Sequence, residues 1–198
     1  MRKTLVIGGI ALASAVLLGA CSSSDSPSGM SGMPSTSAPA PGQQAGHNAD
    51  DIAFAQQMIP HHSQALDMAK LVPSRSTNPK VIDLASRIEK AQDPEIKTMQ
   101  GWLTSWGAGT TSSAMPDMDH GMPGLMSDAD MKKLEGAKGA EFDKMWLDMM
   151  IRHHQGAIDM AKTELQKGSN ADAKALAQKI IDAQQAEITE MRGMLSQS

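Results

Sequence analysis

The chain has no tyrosine, a single cysteine and only five phenylalanine and tryptophan residues among its 198. So few rings build no platform for stacking bases, and the 18 basic residues are outnumbered by 22 acidic ones with no basic run. Nucleic acid is excluded as a partner on both counts. One cysteine excludes an internal disulfide. No GxSxG, phosphate loop or HExxH occurs, so the common hydrolase, nucleotide and zinc-protease signatures are missing. No Glu-x-x-His occurs either, which removes the ligand pattern of ferritin-like di-iron proteins. Nothing marks the chain as an enzyme. Methionine, in contrast, is abundant at 17 residues, and there are six histidines.

The N-terminus reads as a targeting segment. Arg2 and Lys3 precede an apolar run from Leu5 to Leu18, too short for a comfortable membrane span. It ends in Leu18-Gly19-Ala20-Cys21, which resembles a bacterial lipobox. That resemblance implies removal of residues 1–20 and lipidation of Cys21, with the membrane as a partner and an extracytoplasmic location; several acyl chains anchor stably where one is marginal. The mature chain would keep 16 basic and 22 acidic residues, a net charge of −6. Residues 21–48, rich in Ser, Pro, Gly and Ala, read as a flexible tether.

Residues 49–198 form the domain, and they are built from a repeat. MIPHHSQALDMAK at 58–70 recurs as MIRHHQGAIDMAK at 150–162, a shift of 92 positions. The same shift carries LASRIEKAQDPEIKTMQGWL from Leu84 onto LAQKIIDAQQAEITEMRGML from Leu176. One register therefore relates two helical hairpins, repeats 49–106 and 127–198, joined by a crossover at 107–126. The periodicity predicts helices from about Asp50 to Leu71 (ending before Pro73), from Asn78-Pro79 to about Trp106, from about Ala140 to Lys167, and from Asn170 to about Leu195. A short helix opens at Ser127, with Asp130 three residues on as its capping partner. Hairpin, long crossover, hairpin predicts an all-α, ferritin-like four-helix bundle.

At about 100° per residue, Asp51, Phe54, Ala55, Met58, His62, Ala65 and Ala69 share one stripe, with His61 and His62 straddling it. On the second helix Leu84, Ile88, Ala91, Glu95, Met99 and Trp102 form the apolar stripe. A carboxylate there needs a cation, a donor or a metal. Each half thus offers two imidazoles, a carboxylate and a thioether: His61, His62, Glu95 and Met58, repeated as His153, His154, Glu187 and Met150. These are candidate metal ligands. The alternative is that His and Glu only hydrogen-bond each other and fix helix register, and duplication would copy either arrangement. Asp67 and Asp159 fall opposite the stripe, as surface partners of Lys70 and Lys162.

The crossover holds Met115, Met118, His120, Met122 and Met126 within 12 residues that show no helical or strand pattern. Thioethers favour Cu(I), and imidazole also accepts Cu(II). Copper is therefore the expected metal, unless these methionines fold back on the bundle as a lid. Met30, Met33 and His47 are weaker candidates in the tether.

The paired MIxHHxxAxDMA segments, each followed by QxxEIxxM, resemble the domain-of-unknown-function-305 family of secreted bacterial proteins in the ferritin-like superfamily. The resemblance covers nearly all of 49–198. It implies a bundle of two hairpin repeats, and some Met- and His-rich relatives are described as extracytoplasmic copper-binding proteins. The combined expectation is a lipid-anchored copper buffer or sequestering protein whose protein partner is unknown. The alternatives are a redox or hydrolytic metalloenzyme at the same inner sites, or a non-metal interaction module with structural histidines.

Overall fold

The computed structural model describes residues 46–110 and 122–197. Five helices follow in order: α1 (Ala49–Arg75), α2 (Pro79–Ser105), α3 (Asp128–Gly136), α4 (Gly139–Lys167) and α5 (Ala171–Leu195). No strand occurs among the described residues. None of these helices is long and apolar enough to cross a membrane. Cys21, Met30, Met33, Met115, Met118 and His120 lie outside the described residues.

Side chains set most of the boundaries. Asn48 accepts from the Asp50 and Asp51 amides while Asp51 returns a bond to the Asn48 amide, a capping box that opens α1. Asn78, with Pro79 behind it, opens α2, and Asn170 opens α5. Ser127 caps α3, its Oγ accepting from the Asp130 amide at 3.1 Å. Gly107, at φ +67°, turns the chain out of α2. The expected stop before Pro73 is overridden, and α1 runs one turn further to Arg75. Pro73 removes only its own N–H, and bonds from the Ser76 amide to Val72 O (2.9 Å) and from Ser74 Oγ to Leu71 O (3.0 Å) carry the last turn past it.

Helices α1 and α2 pack as one hairpin, α4 and α5 as the other, and α1 crosses α4. The two crossing helices run antiparallel. Near the start of α1, Asp51 meets the α4–α5 turn, while Trp146, early in α4, donates through Nε1 to Met68 O at 3.0 Å. On the far side, Arg87 of α2 reaches Glu190 of α5 at 2.6 Å. Two apolar clusters fill the bundle. One holds Met68, Val72, Leu84, Ile88, Trp146 and Met150 among others. The second includes Phe54, Met58, Ile96, Met99, Met160 and Ile180. Between them lie fully buried histidines, where His61 and His153 meet near the midpoints of α1 and α4.

The α2 face is rotated from the expected stripe. Gln92, Ile96 and Leu103 are buried, Ala91 is exposed and Trp102 half-buried. Trp102 instead stacks on Trp106, which in turn stacks on His47 at a centroid distance of 4.8 Å. This surface aromatic column gives Trp102 contacts that a helical wheel cannot register.

Candidate metal centre

Four imidazoles, His61, His62, His153 and His154, have no exposed surface. Their pairing is not by halves alone. His61 and His153, from different hairpins, stack across the α1–α4 crossing with centroids 3.7 Å apart and planes tilted by 39°. His62 turns away to Glu95, its Nε2 2.8 Å from Oε2, and His154 makes the repeated contact with Glu187 at 2.7 Å. The centre is therefore one shared imidazole pair flanked by two His–Glu pairs.

Burial governs the central pair. It lowers the His61 pKa to about 3, helped by the charges that His62 and His154 would carry, while a bond to the Pro123 carbonyl works the other way. His153 is also held well below its ordinary value, first by burial and then by repulsion from the other three rings. Both rings are neutral at physiological pH and can act as donors without first losing a proton.

The polar atoms are not all satisfied. Nδ1 of His61, His62 and His154 and both ring nitrogens of His153 are buried without a hydrogen-bond partner. Gln92 and Gln184, 2% and 3% exposed, repeat each other one turn before Glu95 and Glu187 and add three more orphaned amide atoms. A core normally pairs such groups, so orphans clustered in one layer point to a ligand or water that pairs with them. Met58 and Met150 are fully buried one turn before His62 and His154, and Met99 and Met191 one turn after Glu95 and Glu187. Among the described residues no three His, Cys, Asp or Glu side chains converge as a cradle for an ion. The donor set suits a soft ion of low coordination number better than a hard cation needing six oxygens.

The end of the crossover is strapped over this centre. His61 Nε2 donates to Pro123 O at 3.1 Å. Gln64 holds Met126 from both sides, its Nε2 donating to Met126 O at 2.9 Å and its Oε1 accepting from the Met126 amide at 2.7 Å. Gly124, at φ +80°, and Gly156 let the strap touch α4: a Cβ on Gly156 would stand 1.9 Å from Pro123 O. Met126 is buried in the apolar core and Met122 is half-buried, so of the crossover methionines that are described, one is packing.

A carboxylate clasp closes one end of the bundle. Asp51 accepts from the Asn48 amide (2.5 Å), from the Ser169 amide and hydroxyl (both 3.0 Å) and from the Asn170 amide (2.9 Å). Burial alone would raise its pKa, but the Asn170 and Asn48 amides and the Glu164 and Ser169 side chains bring it below the usual value. Nearby Glu164 is 1% exposed, and both its carboxylate oxygens are buried without a hydrogen-bond partner. Burial first, then Asp51, pushes its pKa up to about 8.

The sequence reading placed His61, His62, His153, His154, Met58 and Met150 inside and Glu95 and Glu187 within reach of His62 and His154. It missed Gln92, Gln184, Gln64, Gly156 and Glu164. Gln92 and Gln184 could have been found, since QxxEI is part of the repeat. Gln64 and Gly156 occupy the same repeat position with different residues, and only the strap explains why.

Solved structures resemble the chain over most of the described part. A secreted protein from Streptomyces coelicolor is 35% identical, with 75% of this chain and 93% of that one covered and a TM-score of 0.71. CopM, solved in a Cu(II)-bound form, is 31% identical, covering 74% and 96%, with a TM-score of 0.65. An uncharacterized protein, L153 of Acanthamoeba polyphaga mimivirus, is 39% identical over 54 residues, 27% of this chain, and the match spans only about a third (36%) of that protein's length. The model of the domain-of-unknown-function family DUF305 matches residues 51–195, and the chain belongs to that family.

Proposed function

We infer that the protein binds copper as cargo outside the cytoplasm, buffering or sequestering it, and that a lipid on Cys21 holds it to the membrane. The observation that carries this reading is the layer of buried, unpartnered imidazole nitrogens between two methionine-containing apolar clusters. Neutral nitrogens and thioethers with no third hard ligand favour Cu(I). The likeness to CopM, a protein solved with Cu(II) and, at 29% identity in that comparison, with Cu(I), supports the same metal. The secreted relative supports the location. His61, His62, His153 and His154 with Met58 and Met150 are the candidate interior donors, next to Glu95 and Glu187. Met115, Met118, His120 and Met122 belong to the capture segment, which Met126 ends by packing into the core.

Titration with Cu(I) and Cu(II) against a competing chelator tests the reading. Binding tighter than micromolar is expected, and weaker binding of both ions overturns it. Changing all four core histidines to Ala, and separately deleting 115–126, apportions the binding; unchanged affinity in both variants rejects both assignments. Intact-mass analysis of membrane fractions should find a lipidated chain beginning at Cys21, and a Cys21 whose sulfur and amino group both carry no lipid removes the anchor. The hydrogen-bonded His62–Glu95 and His154–Glu187 pairs favour a second reading, in which the histidines are purely structural. A protein that binds no copper but loses stability on their removal would establish that one.

A further inference from the structure

Three of the four buried histidines are held in the same manner. His61 faces Pro123 O, His62 faces Glu95 and His154 faces Glu187, always through Nε2. A peptide carbonyl and an ionised carboxylate can only accept, so each Nε2 must carry the proton. In a neutral imidazole the lone pair is then on Nδ1, and in all three rings Nδ1 is the atom left buried without a partner. The carboxylates keep part of their surface in water (20% and 14%) while the rings have none, which puts Glu95 and Glu187 on the solvent side of the imidazoles they hold. A ligating histidine commonly donates its other N–H to a carboxylate or carbonyl, which fixes the ring and raises its basicity as a donor.

The geometry points to Nδ1 as the donor nitrogen that His61, His62 and His154 each offer a metal, singly and not as one three-histidine cradle, with Glu95, Glu187 and the Pro123 carbonyl as positioning groups and not ligands. Gln64, which clamps Met126, belongs with them: it keeps the Pro123 carbonyl on His61 as the two carboxylates stay on His62 and His154. His153 alone has no such partner, because one crossover supplies one strap. The assignment rests on the copper reading for the identity of the ion, but the tautomers do not depend on it.

Long-range ¹H–¹⁵N spectra of labelled, metal-free protein read the tautomers directly. Nε2-protonated rings with bare Nδ1 are expected for His61, His62 and His154; Nδ1-protonated rings overturn the proposal before any metal is added. On adding Cu(I), the Nδ1 signals should move while Nε2 keeps its proton, and movement of Nε2 instead rejects the donor assignment. Correct tautomers with no copper-dependent change would leave the positioning role standing and overturn the copper reading. A variant pair separates ligand from positioner. Glu95→Gln keeps an acceptor for Nε2–H and should hold copper within about threefold of the parent, whereas Glu95→Leu should weaken it by about 10- to 100-fold. Equal losses in the two variants would make Glu95 a ligand.

Discussion

A shift of 92 residues carries His62–Glu95 onto His154–Glu187 with N···O distances of 2.8 and 2.7 Å, and Met58, Gln92 and Met99 onto Met150, Gln184 and Met191. The same shift carries Gln64 onto Gly156 and Val72 onto Glu164. The first set lines the interior of each hairpin and is duplicated. The second set meets groups that exist once: the strap, which Gln64 grips and for which Gly156 leaves room, and the α4–α5 turn, where Glu164 sits beside Asp51. Interior chemistry follows the repeat, and the departures from it mark where the unique connections lie against the bundle.

Making the halves alike at the strap should have the largest effect. Gly156→Ala, or Gly156→Gln to copy Gln64, puts a Cβ 1.9 Å from Pro123 O. A stability loss of about 3 kcal/mol in denaturant unfolding is expected, or release of the strap seen as fast amide exchange at Met126. A stable variant with a protected Met126 amide would mean that the strap does not press on α4.

Where the halves are copies, they should respond alike. His62→Ala and His154→Ala should each weaken copper by about tenfold or more, equally within about threefold, in chelator competition. Strongly unequal losses would show that the flanking pairs are not equivalent. Gln64→Ala removes two hydrogen bonds that its repeat partner never makes, so a cost of about 1–2 kcal/mol is expected, with faster exchange at Met126.

Charge separates the middle of the bundle from its clasped end. His61 and His153, with folded pKa values below their ordinary ones, make stability rise with pH up to about 6.5, because only the unfolded chain takes up those protons. Glu164 acts in the opposite sense. Its folded pKa of about 8 lies above its ordinary 4.5, so its contribution is present in acid and is lost as pH rises through 8. Melting temperature should therefore peak near pH 6.5 and fall towards pH 8. Glu164→Val, copying Val72, should flatten the fall above pH 6.5 and steepen the rise between 4.5 and 6.5; an unchanged alkaline limb would place the titrating group elsewhere. The smallest effect is expected at the exposed ion pairs: Asp67→Asn and Asp159→Asn should leave the melting temperature unchanged within error.

The hairpins and the buried faces of α1 and α4 were legible because a 3.6-residue period and a repeat both act locally. Asp51, Met58, His62 and Ala69 are all buried as that period requires. What a helix's own period cannot show is which neighbour its face meets. Grouping the imidazoles by hairpin therefore missed the His61–His153 stack, which forms where two mid-helix positions of different hairpins cross. On α2 the expected stripe ran through Ala91, and the burial went to Gln92. The strap was hidden for another reason: Gln64, Gly124 and Gly156 matter through main-chain contacts that no hydrophobic pattern records.

The crossing of two long helices at their midpoints also bears on time. His61 and His153 lie about 18–21 Å from the ends of their helices at 1.5 Å per residue. Fraying, which begins at termini, does not reach them, and an ion bound there would not escape by the cheap motions that loosen most surfaces. Pro123 O meets His61 Nε2, and two surface clefts of about 270 and 370 Å³ both reach Pro123. On the copper proposal, residence time at the centre would be set by how often that one peptide segment, residues 122–126, lifts, a clock separate from affinity.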